Sequence, residues 1–181
     1  MLSKEQEGPL SAEKLATFRD GRGYPVVQRP SRLVPSATVI VCERFQGLPA
    51  RLAWPCCVLV HQRADNAWWG FPGGQQEIGE SIMHCAVREC YEETGLTVAL
   101  VRLVCVDSDP TLGAIVAYPD QVIHYTNVTF LAYVLHGTLR GSAESLQLQW
   151  VSSQNLPTPF LLSHAWRLAQ AQHDRGMVPV R

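Results

Sequence analysis

The stretch over residues 73–96, GGQQEIGESIMHCAVRECYEETGL, constrains this chain of 181 residues more than any other part of its sequence. It opens on a double glycine, which favours a tight turn that brings backbone close to other groups. A helix is predicted from about Ser81 to Thr94. Ser81 is a good N-cap residue, and Gly95 stands where a left-handed C-terminal residue is needed. The pattern therefore predicts a glycine-rich turn followed by one helix.

The predicted helix carries acidic residues at the edge of its apolar face. At about 100° per residue, that face comprises Ile82, Met83, Ala86, Val87, Cys90 and Thr94. Glu89, Glu92 and Glu93 stand at positions i, i+3 and i+4, so their carboxylates share one side of the helix. Glu93 falls within the apolar face itself. Three carboxylates in such a place repel one another and lose hydration, which calls for a compensating cation.

A divalent metal ion is the cation that this pattern favours. Arg88 lies four residues before Glu92, but one arginine cannot neutralise three glutamates. Hard oxygen ligands favour Mg²⁺, and Mn²⁺ is expected to substitute for it. An exposed, solvated acidic helix end is the alternative, because charge runs are common on helices.

The full string resembles the Nudix box, the signature of the Nudix hydrolases. The residues on its fixed positions are Gly74, Glu80, Arg88, Glu89, Glu92, Glu93, Gly95 and Leu96. Cys90 departs from it by standing where an aliphatic residue is usual, although a small buried thiol packs much as valine does. The resemblance implies an α/β fold, an α/β/α sandwich with a mixed β-sheet. It also implies Mg²⁺-dependent hydrolysis of the pyrophosphate bond in a nucleoside diphosphate linked to another group, X.

The resemblance further implies roles for single residues. Glu89 and Glu93 are expected to be the main metal ligands, and Glu92 an additional one. Arg88 is expected to orient a glutamate without touching the substrate. By its position in the turn, Gly73 would offer its carbonyl oxygen to the metal.

A fourth acid is expected from a loop outside the box. Many Nudix enzymes use a glutamate that precedes a strand ending in an aromatic residue, and Glu144 precedes Trp150 in that way. A solvated loop acid is the alternative, since loops are mostly polar. If Glu144 is only that, the next candidates are Asp107, Asp109 and Asp120.

Substrate selectivity must come from residues outside the box, because the box acts on the diphosphate that all such substrates share. Arg63 could reach a phosphate, although an exposed arginine at a strand end is the commoner case. The candidates for stacking a base are Trp68, Tyr118 and Tyr125, whereas Trp69 is expected to pack in the core. We expect a nucleotide sugar such as ADP-ribose ahead of a (d)NTP. A nucleotide-sensing domain without catalysis is the other alternative.

Composition limits the remaining possibilities. A chain with 46% hydrophobic residues can bury one core, predicted as a Nudix domain over residues 35–181 after an N-terminal extension over residues 1–34. A net charge of −1 with only two lysines argues against general nucleic-acid binding. No apolar stretch approaches the roughly 18 residues of a membrane span. We expect a cytoplasmic protein acting on a small nucleotide. The helix of the extension is expected to pack either on the surface of the domain or on a second subunit in a homodimer.

The remaining elements follow from local patterns. Helices are predicted over residues 11–20 and 160–173. Strands are predicted over residues 38–42, 56–61, 100–106, 122–135 and 146–151. Residues 21–35, 44–51 and 107–120 are predicted to be irregular because they are rich in proline, glycine or aspartate. Near-continuous apolar strands suggest a sheet covered on both faces.

Overall fold

The computed structural model describes residues 10–43 and 54–173. The predicted loop over residues 44–51 lies outside these ranges. The elements within them are α1 (Ala12–Ala16), β1 (Arg32–Cys42), β2 (Cys57–Arg63), β3 (Trp69–Gly70), β4 (Gly73–Gln75), α2 (Ile82–Thr94), β5 (Leu96–Asp107), β6 (Ile115–Ala117), β7 (Val122–Gly137), β8 (Ser145–Ser152) and α3 (Leu162–Gln172). Within this described part, no helix is long and apolar enough to cross a membrane.

Among the residues that the structure describes, a mixed sheet of eight strands forms the centre of the fold. β1 runs parallel to β7 along its whole length, from Arg32 opposite Ile123 to Cys42 opposite Tyr133. The other pairings are antiparallel. On its second edge, β1 pairs with β4 over residues 36–38 and with β2 at Cys42. Because β4 inserts there, the glycine-rich turn is held against the middle of the sheet.

Helices cover both faces of this sheet. Alternate residues of β1 enter different apolar clusters, since side chains along a strand point to opposite faces. Ile40 packs in a cluster with Leu168 of α3. Val39 packs in a second cluster with Ala86 and Cys90 of α2. The architecture is therefore an α/β/α sandwich with a mixed sheet, as the sequence predicted.

The helix after the glycine-rich turn has the predicted limits. The Ser81 hydroxyl accepts a hydrogen bond from the His84 N–H at 3.2 Å, and Gly95 closes the helix with a φ of 74°. The expectation that Met83 belongs to the buried face is wrong, because its side chain is 54% exposed. Cys85 is buried instead. The turn covers that side of the first helical turn, where the Cys85 thiol lies 3.8 Å from the Gly74 carbonyl oxygen.

Several predicted boundaries need correction. β1 begins at Arg32, so residues 32–35 are not irregular; pairing with β7 extends the strand in spite of Pro35. The segment over residues 107–120 contains the short strand β6, which pairs with β7. The first helix ends at Ala16 and not at residue 20, because the chain then turns to bury Phe18. These elements depend on distant partners more than on local propensity.

The described part of the N-terminal extension packs on the domain. Phe18 and Val26 form a third apolar cluster with Ile115 and Val122. The Gly21 N–H donates to the carbonyl oxygen of Ile115 at 3.1 Å, and its own carbonyl accepts from Leu162 at 3.0 Å. This segment therefore joins β6 to the start of α3.

Candidate active site

A cavity of about 710 Å³ opens beside the acidic side of α2. The residues named from the sequence that line it are Arg63, Gly73, Glu89, Glu92, Glu93, Tyr118, Tyr125 and Glu144. They come from the glycine-rich turn, from α2, from the strands β2 and β7, and from loops far apart in sequence. The structure thus brings most of the predicted site residues together around one volume.

The glycine-rich turn holds two of the carboxylates of α2. The Gly73 N–H donates a hydrogen bond to Glu93 Oε2 at 2.9 Å. A Cβ atom at Gly74 would lie only 2.5 Å from both carboxylate oxygens of Glu89. A side chain at position 74 would therefore displace the Glu89 carboxylate, which occupies that space. Gly73 also lines the cavity, and metal ligation by its carbonyl oxygen stays a prediction.

Glu93 is an acid buried without a charged neighbour of opposite sign at ion-pair distance among the described residues. It is only 4% exposed, and burial raises its pKa to about 8. His61 Nδ1 lies 4.0 Å from Glu93 Oε1, but burial lowers the pKa of His61 to about 4. The imidazole is therefore neutral at pH 7 and supplies no positive charge. A buried carboxyl that becomes ionised needs a cation beside it.

Arg88 connects the other acids of the box. Its Nη2 donates to Glu80 Oε1 at 2.7 Å and to the Gln75 carbonyl oxygen at 3.0 Å. Its Nη1 donates to Glu89 Oε1 at 2.9 Å and to Glu92 Oε2 at 3.1 Å. The hydrogen bond from Arg88 lowers the pKa of Glu80 to about 2. This geometry agrees with a positioning role, and Arg88 does not line the cavity.

Glu144 and Arg63 meet at one side of the cavity because β2 pairs with β8. The Ala64 N–H donates to the Glu144 carbonyl oxygen at 2.8 Å, where the two strands end. The Glu144 side chain is exposed and lines the cavity. Arg63 binds Asp65 through two hydrogen bonds, at 3.0 Å and 2.9 Å. Its guanidinium is therefore fixed in orientation next to the site.

The three aspartates proposed as alternatives to Glu144 do not line the cavity. Asp107 is fully buried and forms an ion pair with Arg167 at 3.3 Å. Asp109 accepts hydrogen bonds from the backbone and hydroxyl of Thr111 within its own loop. The suggestion that this loop brings an acid over the site is wrong for all three, because the loop lines the cavity with other residues, from Gly113 to Pro119.

The aromatic candidates divide into two groups. Tyr125 accepts a hydrogen bond from Gln75 Nε2 at 2.8 Å, and its hydroxyl lies 3.2 Å from that of Tyr118. Both tyrosines line the cavity. Trp68 does not: its ring packs edge-on against Tyr24, with centroids 6.3 Å apart. The cavity therefore gives no support to base stacking on Trp68, whereas Trp69 is buried in the core as expected.

Sequence reasoning missed the polar floor of the cavity. Asn127 Nδ2 donates to Ser36 Oγ and to Thr38 Oγ1, both at 3.0 Å. All three side chains are buried and line the cavity. Their sequence signal is weak, because Asn127 lies among other polar residues at the start of β7, such as Thr126 and Thr129. A buried asparagine calls for a hydrogen-bonded partner.

The donor chemistry of the site fits a divalent cation. Carboxylate oxygens from one helix face, a backbone carbonyl in the turn and a carboxylate at the opposite rim are hard ligands suited to Mg²⁺ or Mn²⁺. Over residues 10–43 and 54–173, no three Asp, Glu, His or Cys side chains are already closed into a ligand set. Arg88 engages Glu89 and Glu92 in this structure. Reorientation of those carboxylates toward a cation is what the site would require.

Replacement of Gly74 by alanine is expected to lower activity by about 10-fold or more, since misplacing a catalytic group by about 1 Å can cost two orders of magnitude. The added methyl group would push the Glu89 carboxylate out of place. Gly141→Ala is the matched control, because the closest atom to its added Cβ is 3.8 Å away. Steady-state kinetics on both variants check this, and equal rates for Gly74→Ala and wild type would contradict the described packing of Glu89.

The fold and the site define an α/β/α sandwich domain whose glycine-rich turn and helix gather carboxylates beside a polar cavity. Residues 33–172 match the family model for the NUDIX domain. The chain therefore belongs to the Nudix hydrolase family.

The proteins to which this chain is similar are named for different activities. The chain is 30% identical over 103 residues to an ADP-ribose pyrophosphatase of Methanocaldococcus jannaschii, covering 55% of this chain and 57% of that protein. It is 29% identical over 119 residues to a MutT-like protein of Streptomyces ambofaciens, covering 66% and 70%. A crystal structure of an ADP-ribose pyrophosphatase from Streptococcus suis superposes with a TM-score of 0.57 at 21% identity, covering 82% of this chain and 98% of that one. The chain spans about 60% of the length of several curated relatives that it matches.

Proposed function

We propose that this protein hydrolyses the pyrophosphate bond of a nucleoside diphosphate linked to a group X, in the presence of Mg²⁺. The observation that carries this proposal is the buried carboxyl of Glu93, aligned by the turn at Gly73 on the wall of a polar cavity. A carboxyl in that position is costly unless a cation joins it. The acids that would hold the cation are Glu89, Glu92, Glu93 and Glu144, with the Gly73 carbonyl as a further ligand.

The chemistry divides between the cation and the side chains of this chain. When bound, Mg²⁺ supplies charge neutralisation at the phosphoryl oxygens and a lowered pKa for water. Arg88 holds Glu89 in orientation through the contact at 2.9 Å. Arg63, fixed by Asp65, is placed to donate hydrogen bonds to a phosphate oxygen. Glu144, exposed at the rim, is the side chain able to accept a proton from attacking water.

A nucleotide sugar such as ADP-ribose is the substrate class that we favour. Tyr118 and Tyr125 offer the cavity an aromatic surface for a base, joined by the contact between their hydroxyls at 3.2 Å. One relative named an ADP-ribose pyrophosphatase supports the same class, whereas another is named a putative 8-oxo-dGTP diphosphatase. A (d)NTP remains the alternative substrate, and nucleotide sensing without hydrolysis the alternative function.

A panel of ADP-ribose, other sugar nucleotides, dinucleoside polyphosphates and (d)NTPs, each with Mg²⁺, tests this proposal by the products formed. Release of AMP and a sugar phosphate from ADP-ribose is the expected result. Pyrophosphate release from triphosphates alone would move the substrate to the (d)NTP class. Binding of ADP-ribose without any product would identify a sensing domain.

Glu144→Gln is expected to lower kcat by about 10-fold with little change in KM. General-base assistance contributes roughly 10²-fold or more, but water around the exposed Glu144 side chain can take up part of that role. The amide retains the size of the acid but cannot take up a proton. Glu43, an acid outside the residues that line the cavity, gives the matched control Glu43→Gln. An unchanged kcat for Glu144→Gln would return Glu144 to the solvated-loop alternative.

A further inference from the structure

The N-terminal segment forms one wall of the cavity. Asp20, Gly21 and Arg22 all line it, although they precede the matched family region, which begins at residue 33. The backbone hydrogen bonds of Gly21 to Ile115 and Leu162 fix the segment between β6 and α3. Residues outside the matched family region therefore complete the wall of the cavity.

Arg22 is held in a single orientation on this wall. Its Nε and Nη2 donate to Asp20 Oδ2 at 3.0 Å and 2.7 Å. Its guanidinium carbon lies 5.2 Å from the centre of the Tyr24 ring, which in turn packs against Trp68. The Arg22 side chain is 33% exposed, so donors remain for a ligand, since a guanidinium carries five N–H groups.

Asp20 holds the Arg22 side chain in place. It is only 5% exposed, and its Oδ1 accepts hydrogen bonds from the backbone N–H groups of Arg22 and Tyr24, at 3.0 Å and 2.9 Å. Four hydrogen bonds to one carboxylate leave it little freedom to rotate. An arginine fixed in this way loses less side-chain entropy when a ligand binds.

A second pair of the same kind, Arg63 with Asp65, lines the cavity as well. Each pair is neutral as a whole, so the two arginines are already compensated by carboxylates. Arg63 is the arginine proposed above for a phosphate oxygen, whereas the Asp65 carboxylate is 40% exposed and keeps acceptor sites for a ligand. A sugar hydroxyl is both a donor and an acceptor, so Arg22 as donor and Asp65 as acceptor satisfy both roles.

We propose that Arg22, held by Asp20, is a specificity-determining residue that binds the hydroxyls of a sugar in the group X of the substrate. This inference rests on the proposed hydrolysis of a nucleoside diphosphate linked to X. It makes the N-terminal segment part of the substrate site. It also favours a sugar over a third phosphate at that end of the cavity.

Arg22→Met tests the proposal because loss of a substrate contact should raise KM and leave kcat nearly unchanged. We expect KM for ADP-ribose to rise by about 10-fold or more, as for loss of a hydrogen bond to a charged group. The kcat should stay within about 3-fold, because Arg22 touches none of the acids that would hold the cation. For dGTP the KM should not change. Arg29→Ala is the matched control, since Arg29 is an exposed arginine of the same segment outside the cavity.

Two further variants and a stability measurement distinguish a loss of substrate binding from a loss of folding. Arg22→Lys keeps the charge but loses the planar fork, so it should not restore the wild-type KM. Asp65→Asn changes the second pair without touching Asp20, and it should raise KM for ADP-ribose in the same direction. Thermal unfolding of each variant identifies any loss of the folded state.

The results separate this inference from the function on which it rests. If the wild type cleaves no nucleoside diphosphate sugar, the proposed function fails and this inference fails with it. If the wild type cleaves ADP-ribose while Arg22→Met and Asp65→Asn keep its KM, only the assignment of the sugar wall is wrong. An equal rise in KM of Arg22→Met for ADP-ribose and dGTP would also overturn it, because a contact to a sugar in X cannot affect a substrate whose X is a phosphate.

Discussion

Glu93→Gln should lower kcat by at least about two orders of magnitude while the fold stays intact. The amide has the size of the acid, and its oxygen can still accept the hydrogen bond from the Gly73 N–H. What it cannot supply is negative charge for a cation. Because Glu93 is 4% exposed, solvent cannot replace that charge. Circular dichroism and steady-state kinetics on the same preparation check both parts of the expectation.

The same substitution should stabilise the metal-free protein at high pH. Burial raises the pKa of Glu93 from 4.5 to about 8 in the folded chain. Between these values the unfolded chain has lost a proton that the folded chain keeps, so the stability of the metal-free protein falls as pH rises through this window. Glutamine removes that dependence. Above pH 8, without metal, the variant should therefore unfold at a higher temperature than the wild type.

Glu92→Gln is the control for the catalytic effect of Glu93→Gln. Glu92 also stands on α2 and lines the cavity, but its side chain is 57% exposed. We expect a milder loss of kcat, since solvent and Arg88 already share its charge. A Glu93→Gln enzyme with nearly normal turnover, or one less impaired than Glu92→Gln, would contradict the role assigned to the buried acid.

Arg88→Met should cause the second largest loss, of about 10-fold to 100-fold in kcat, together with a lower unfolding temperature. Arg88 holds Glu80, Glu89 and Glu92 through separate hydrogen bonds. Without it, like charges face one another along α2, and the carboxylate of Glu89 is free to turn. Its contact with the Gln75 carbonyl oxygen is lost as well, which removes one of the links between the turn and the helix.

A double-variant cycle of Arg88→Met with Glu80→Gln tests whether Arg88 acts by positioning the acids of the box. Glu80→Gln removes the acid that makes the shortest contact with Arg88, at 2.7 Å, and Glu80 does not line the cavity. Coupled effects of the two changes on unfolding temperature and kcat are expected, because both residues act through one network. Strict additivity would contradict the claim that Arg88 and Glu80 act through one network. Arg140→Met provides a matched arginine control on a partly exposed surface contact with Tyr91.

The sequence predicted the helix and its acids well because the information is local. Ser81 and Gly95 limit α2 by their own capping chemistry, and helical spacing alone places Glu89 beside Glu93. The position of the turn against β1 was harder to predict from the sequence. It depends on the insertion of β4 beside Ala37, a contact that no local pattern encodes.

The walls of the cavity were predicted least well. Asn127 and Ser36 are separated by 91 residues and meet only because β1 and β7 pair in parallel. Arg22 lies in a stretch that the sequence marked as irregular. Its side chain reaches the site because Gly21 bonds to Ile115 and Leu162, two residues from distant elements. Long-range pairing, not propensity, decides which polar residues face the substrate.

For Trp68, the sequence predicted a role in the site that the structure does not support. An aromatic residue just before the glycine-rich turn is near the site in sequence, which favoured a stacking role. In the structure its ring turns to Tyr24, and Tyr24 contacts Arg22. Proximity along the chain therefore identified the right neighbourhood but the wrong role, since the direction of a side chain depends on the packing around it.

Calorimetric titration of Mn²⁺ into the metal-free protein at pH 6.5 and at pH 8.5 tests the central claim, that the box carboxylates form a cation site, most directly. Because burial raises the pKa of Glu93 to about 8, binding should be weaker at the lower pH and should release protons there. The released protons appear as a dependence of the measured heat on the ionisation enthalpy of the buffer. Glu93→Gln should weaken binding at both pH values and abolish the proton release. No binding at millimolar metal by the folded wild type, or equal binding by Glu93→Gln, would contradict the account.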